Sequence, residues 1–406
     1  MPISPRQADR CCTTDRRAEP LTRARRGSGP SGLLRLYVEH GQSPWLDQLT
    51  RETLDDGSLG RLIAAGIRGV TANPAALARA VGESPAYDEQ LSWLSSTGWS
   101  LGRVYLELAA TDVLAACALL LPTYERSQGL DGFVSLEVPP LLPRTPPLPA
   151  ARTADAMVAA CRLHERVNRP NFLVAIPATQ RGLPVIRAMI SAGRSVNVTS
   201  VVSIDRYSTV IDAYLSGLET FIGRGGDPAT VHSVASFPLS TIDEEVDRRL
   251  ERLGDSRALE LRGLGAVAQA KLAYRQFEEW FSSDRWARLA RAGATPQRPL
   301  WGCSAPGAET GEVSAYVEDL LAPSTIQAIS TSTADALVKN GPGKPSLGID
   351  TRDAAAILSE LAYRGLDLGN VGAVVERRAA ASSREAVARA LTLLTARRLR
   401  PSRSTS

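Results

Sequence analysis

Six polar side chains fall at or just after the ends of predicted strands: Asp47, Asn73, Glu137, Asn197, Thr199 and Ser236. Two carboxylates in one pocket divide into acid and base when their surroundings separate their pKa values. Amides and hydroxyls beside them hold a polar substrate. Taken singly, an Asp, Asn, Ser or Thr at a strand end is the ordinary residue for capping the next helix or turn. Six such residues on five strands instead predict one polar pocket for a small-molecule substrate.

The elements that must position them are legible as an alternation. Short β-rich segments alternate with longer helical patterns, which predicts parallel strands joined by helical crossovers. The strands are "PWLD" (44–47), "RGVTA" (68–72), "GFVSLEV" (132–138), "NFLVAI" (171–176), "SVNVT" (195–199), "VHSVASF" (231–237), "RPLWGC" (298–303) and "TIQAIS" (325–330). Eight of them make a (β/α)8 TIM barrel, and enzymes on that fold place their chemistry at the C-terminal strand ends. "YLELAATDVLAACALLLPTYERS" and "STVIDAYLSGLETFI" carry apolar residues at helical spacing. After the eighth strand, "TADALVKN", "TRDAAAILSELAYRG" and "SREAVARALTLLTARRL" read as additional C-terminal helices covering the barrel's outside or one end. The Pro-rich "PPLLPRTPPLPA" after strand three reads as a stiff loop, because the strand and helix rhythm resumes beyond it.

Period-two alternation assigns faces to the strands. Val134, Leu136 and Val138 turn toward the helices, which leaves Phe133, Ser135 and Glu137 toward the barrel axis. By the same rule Asn197 and Thr199 point inward. Phe172, Val174 and Ile176 point outward, so Ala175 faces the axis.

Composition narrows the class. The 406 residues suit one barrel with extra helices as well as two domains. Hydrophobic content of 44% and charged content of 22% describe a soluble protein, and no apolar run reaches the roughly 18–20 residues of a membrane span. A net charge of +4, with much of the excess arginine near the two ends, does not imply nucleic acid. Residues 1–33 are rich in Arg, Ser, Gly and Pro and read as a disordered tail. Residues 34–390 read as the barrel, and 391–406 as a basic flexible tail. Cys11, Cys12, Cys117, Cys161 and Cys303 lack metal-like spacing, a usage that fits a reducing cytoplasm. His40, His164 and His232 are too scattered for a metal site or a triad. No metal or cofactor is expected, and the oligomeric state stays open.

The motifs "SPWLDQLTR", "GVTANPAAL", "GFVSLEV", "RPNFLVAIPATQRGLPVI", "AGRSVNVTSVVSIDRYSTVIDAYLSGLE", "SVASFPLSTIDEEVDRRL", "AQAKLAYRQFEEWF" and "QRPLW" resemble, in this order, the transaldolase family and specifically its longer bacterial branch. The resemblance covers about residues 42 to 385. It implies a (β/α)8 barrel that moves a three-carbon dihydroxyacetone unit between sugar phosphates through a lysine Schiff base. It also implies roles: Asp47 as acid/base, Glu137 ordering a catalytic water, Thr199 helping to hold that water, and Asn73, Asn197 and Ser236 contacting substrate.

Three departures stand against these agreements. The family's Schiff-base lysine falls on Ala175, where "IKIPAT" of the family becomes "VAIPAT". An alanine methyl forms no imine. The family's phosphate-binding arginine falls on Thr241, and a second cation expected after strand seven is replaced by "CSAPGAE", Cys303 to Glu309. Each lost charge-assisted contact removes about 1.5–3 kcal/mol, so sugar phosphates are expected to bind poorly. The lysines are Lys271, Lys339 and Lys344. Lys271 lies in a helix after strand six, and the other two lie beyond strand eight. Cys303 reads as a buried inert thiol, and Arg194 and Arg206 as structural.

Three readings follow. In the first, an enzyme repurposed from a transaldolase runs an aldol-type, dehydrating, cyclising or isomerising step by non-covalent acid/base chemistry on a substrate without phosphate. In the second, an inactive homologue acts as a binding protein. In the third, a conventional transaldolase works through a displaced lysine. Loss confined to the amine and the phosphate grip favours the first.

Overall fold

A computed structural model describes residues 31–72, 74–137, 149–303, 315–341 and 351–398. Eight strands close in chain order into a parallel barrel: β1 (Ser43–Asp47), β2 (Gly69–Ala72), β3 (Phe133–Glu137), β4 (Phe172–Pro177), β5 (Val196–Thr199), β6 (Ser233–Phe237), β7 (Arg298–Gly302) and β8 (Ile326–Ile329). Every expected strand is present within two residues of its predicted bounds.

Alternation sorts their side chains into two cores. Val134, Leu136, Phe172, Val174, Ile176, Val196 and Val198 lie in the shell between sheet and helices. Trp45, Phe133, Leu173, Val234, Leu300, Ile326 and Ala328 pack along the axis. Gly69 sits in register with Trp45, and a Cβ there would come 2.4 Å from the indole, so the ring occupies the space that any larger residue would need.

The N-terminal end of the barrel is closed by a buried charge network. Asp131 accepts from Ser43 at 2.6 Å, from Arg68 at 2.7 Å and from Arg298 at 2.9 Å, while Trp45 donates its indole N–H to Ser43. Burial alone would raise the Asp131 pKa. The two guanidiniums and the Ser43 hydroxyl outweigh it and hold the carboxyl below its ordinary value. His232 lies at this end, its outer nitrogen 3.2 Å from the Tyr124 hydroxyl, and burial pushes its pKa down to about 4.

The helix Leu101–Arg126 is long and apolar enough, by length and composition, to cross a membrane. Here it packs on β3, with Leu108, Val113, Ala116 and Leu120 buried. Its Asp112 is also buried, paired with Arg51 at 2.7 Å and accepting from Tyr87 at 2.7 Å. This pair fixes the segment that leaves β1.

Both tail boundaries move. Ser31 caps the helix Gly32–His40, and Leu33 and Leu36 are fully buried, so residues 31–33 belong to the folded unit rather than to a tail. At the other end the helix Leu368–Arg398 runs through the supposed flexible segment 391–406. Leu394 is buried, and Arg397 donates to the carbonyls of Val81 and Ser84 and pairs with Asp88. This helix is longer than its predicted second half because Gly369, Gly372 and the Ala/Ser run 379–383 blur the apolar period. Gly372 earns its place by contact: a Cβ there would lie 2.7 Å from Val202 after β5. Residues 1–30 and 399–406, the segment 138–148 of the Pro-rich loop, and residues 304–314 of the loop after β7 lie outside the described residues.

Candidate active site

Sheet register brings the predicted inward side chains into one row. Glu137 of β3 is paired with Ala175 of β4, Ala175 with Asn197 of β5, and Pro177 with Thr199. Ala175 is 3% exposed and Asn197 2%, both inside the barrel, while Glu137 at the end of β3 is partly exposed. Asn197 is held on both sides of its amide. It donates to Ser135 at 3.0 Å and accepts from Ser236 of β6 at 2.7 Å, which fixes its orientation.

Across the axis, Asp47 at the end of β1 accepts a 2.6 Å hydrogen bond from Thr71 of β2. Thr71 is a contact that the sequence reading missed. The signal was present, since Thr71 is two residues from Asp47's fellow candidate Asn73 in sequence, the spacing that period-two alternation assigns to one strand face. Asn73 itself lies outside the described residues.

Glu137 sits differently from Asp47. Among the described residues none donates a hydrogen bond to it, and burial pushes its pKa up to about 7. Tyr105, on the helix Leu101–Arg126, is buried and its pKa is raised well above the usual phenol value, by burial first and by the Glu137 charge second. Two residues beyond Asn197 on β5, in register with Pro177, the Thr199 hydroxyl is a buried oxygen with no partner among the described residues. One carboxylate is thus hydrogen-bonded, while the other, with its pKa raised by burial to about 7, is divided between its two protonation states near neutral pH.

The remaining candidates separate from this row. Thr241 lies in the first turn of the helix Leu239–Leu253, whose cap Pro238 supplies no side-chain hydrogen bond. Cys303 accepts from Gln327 at 2.8 Å. Burial, and then the carboxylates of Asp243 and Asp47, push its thiol far above the reactive range. Arg194, in the loop just before β5, pairs with Glu165 of the helix Pro149–Val167 at 3.2 Å. Arg206 donates to the Ala178 carbonyl at 2.7 Å and lies 4.0 Å from Glu376, so its charge is committed to the loop after β4. Lys271 is on the helix Gly265–Trp280 outside the barrel, Lys339 is exposed on the helix Thr331–Asn340, and Lys344 lies outside the described residues.

Residues 44–393 match the Transaldolase/Fructose-6-phosphate aldolase family. The chain belongs to that family. It is 44% identical over 312 residues to the transaldolase of Thermobifida fusca, covering 76% of this chain and 82% of that one. It is 40% identical over 339 residues to the transaldolase of Parafrankia sp., covering 83% and 90%, and 41% identical over 341 residues to that of Mycolicibacterium smegmatis, covering 83% and 89%. The family match spans the barrel and most of the long C-terminal helix, so the row of Glu137, Ala175 and Asn197 lies wholly within it.

Proposed function

We infer that this chain uses the barrel interior of a transaldolase-family protein for acid/base chemistry without an imine carried by the enzyme, on a substrate without phosphate. The observation that carries this reading is Ala175, which stands in register between Glu137 and Asn197, at the position to which the motif resemblance assigns the family's Schiff-base lysine. The two described lysines lie on helices outside the barrel. Thr241, at the position of the family's phosphate arginine, supports the second half of the reading.

In this proposal Asp47 takes a proton from the substrate, and its hydrogen bond from Thr71 fixes the carboxylate's orientation. Glu137, near pKa 7, exchanges protons in both directions at neutral pH, the range in which general acid/base catalysis is most effective. Thr199 and the protonated Glu137 offer O–H donors to a carbonyl oxygen or to a water between them. Charge that builds on that oxygen during enolisation is stabilised there, replacing the electron sink of an imine. Asn73, Asn197 and Ser236 contact the substrate's hydroxyl groups. Aldol-type, dehydrating, cyclising and isomerising steps all share this proton transfer beside a carbonyl.

One observation favours a conventional transaldolase instead: relatives at 40–44% identity bear that name. That reading requires an amine at the reaction centre. Incubation with fructose 6-phosphate and borohydride separates the two. The imine-free reading expects an unchanged intact mass, and a reduced three-carbon adduct would sink it.

A further inference from the structure

One buried carboxylate outside the barrel row is shared by more guanidiniums than it can neutralise. Glu245 lies in the second turn of the helix Leu239–Leu253, which follows β6, and its side chain is 2% exposed. Arg249 donates its Nε–H to one of its oxygens at 2.8 Å. Arg248 and Arg378 donate to the other, Arg378 at 2.7 Å from the C-terminal helix Leu368–Arg398. Burial would raise the Glu245 pKa, but the bonds from Arg248 and Arg249 outweigh it and hold the carboxyl below its ordinary value, so the group stays ionised. Among the described residues Glu245 is the only carboxylate paired with any of the three arginines, which leaves an excess of two positive charges. The neighbouring acids are engaged elsewhere: Asp247 accepts from the Gly263 N–H, Glu251 pairs with Arg262, and Glu376 lies 4.0 Å from Arg206. Glu244 is exposed and pairs with none of the three among the described residues. Arg252 is exposed as well, and it follows Arg248 and Arg249 at the spacing of one helical turn, which adds a further guanidinium to their face.

A guanidinium has five N–H donors and no acceptor, and each of these three spends only part of that capacity on Glu245. The Arg248 Nε is a buried donor with no partner among the described residues. Side-chain exposures of 35%, 21% and 55% for Arg248, Arg249 and Arg378 leave other donors open to a ligand from solvent. Fastening the two helices together requires one bidentate arginine on the carboxylate, not three. Converging guanidiniums with two charges in excess match a tetrahedral oxyanion with two negative charges, whereas a monocarboxylate supplies half of that charge. We propose that Arg248, Arg249 and Arg378 form a binding site for a phosphate-type anion, of the phosphomonoester or pyrophosphate class, that bridges the helix after β6 to the C-terminal helix. The site is separate from the row of Glu137, Ala175 and Asn197, and it does not rest on the imine-free reading.

The test titrates inorganic pyrophosphate, inorganic phosphate and acetate into the full-length protein by isothermal calorimetry at about pH 8 and one fixed ionic strength, since salt screens exposed charges. Pyrophosphate is expected to bind with a Kd below about 1 mM, phosphate severalfold more weakly, and acetate not measurably. Arg378→Ala should weaken pyrophosphate binding about tenfold, and the double variant Arg249→Ala/Arg378→Ala should abolish it. Both variants leave a guanidinium on Glu245, so the buried carboxylate keeps a partner, and circular dichroism checks that the fold is retained. Glu245→Gln removes the carboxylate that competes for the donors and should tighten pyrophosphate binding severalfold, a change that a purely structural ion-pair cluster would not produce. Arg275→Ala, which breaks an exposed pair with Glu279, should bind as the wild type does. Equal pyrophosphate affinity in the wild type and the double variant, acetate binding as tightly as pyrophosphate, weaker binding in Glu245→Gln, or no binding at millimolar pyrophosphate would each overturn the assignment. A borohydride adduct on the wild type would instead overturn the imine-free reading and leave this site untouched.

Discussion

Replacing Glu137 by glutamine probes the electrostatics of the barrel interior without requiring a substrate. The carboxyl has a folded-state pKa of about 7, raised by burial, against an unfolded value of about 4.3. A pKa raised in the folded state gives stability that is fully present below about pH 4.3 and lost as the pH rises through about 7. The full difference corresponds to about 3.7 kcal/mol at alkaline pH, and solvent reaching this partly exposed side chain reduces it to about 2–3 kcal/mol. Glutamine keeps the shape and removes the ionisation. Glu137→Gln should therefore be more stable than the wild type by about 2–3 kcal/mol at pH 8.5, with the gap falling to about 1 kcal/mol at pH 5.5. Urea unfolding followed by circular dichroism at the two pH values measures both quantities. A gap independent of pH, or one that widens toward acid, would refute the assignment of Glu137 as a desolvated carboxyl.

Asp131→Ala removes the shared acceptor of two buried arginines and should cost about 3–5 kcal/mol in urea unfolding. Because the Asp131 pKa is depressed, the stability it contributes is present above about pH 4 and lost as the pH falls, so the variant should differ less from the wild type in acid. Deleting residues 391–406 removes the Leu394 packing and the Arg397 contacts. It should lower the melting temperature by several degrees, whereas no change would restore the view of this segment as a free tail.

The barrel was readable because each strand carries an apolar run of period two and each crossover an apolar stripe of period 3.6. The same alternation placed Glu137, Ala175 and Asn197 on the inner face, and the register of β3, β4 and β5 then put them side by side. Register between strands is a tertiary fact, and no single strand's sequence states it. Thr71 escaped notice because a threonine inside "RGVTA" reads as an ordinary β-former until Asp47 is known to lie beside it. Both tail boundaries erred for one reason. Composition near the ends is rich in Arg, Ser, Ala and Gly, and it hides short apolar anchors such as Leu33 and Leu394, whose burial depends on the surface each helix meets. The split between a hydrogen-bonded Asp47 and a desolvated Glu137 is likewise set by neighbours from other elements.

The central claim is that no enzyme-borne imine forms in this chain. Its most direct measurement is intact-mass analysis after borohydride reduction, run in parallel on the wild type, on Ala175→Lys with dihydroxyacetone, and on the Thermobifida fusca transaldolase with fructose 6-phosphate as the positive control. The wild type should keep an unchanged mass with either ketose, and the lysine variant should carry a three-carbon adduct. An adduct on the wild type would contradict it, and mapping the modified peptide would name the lysine that replaces Ala175.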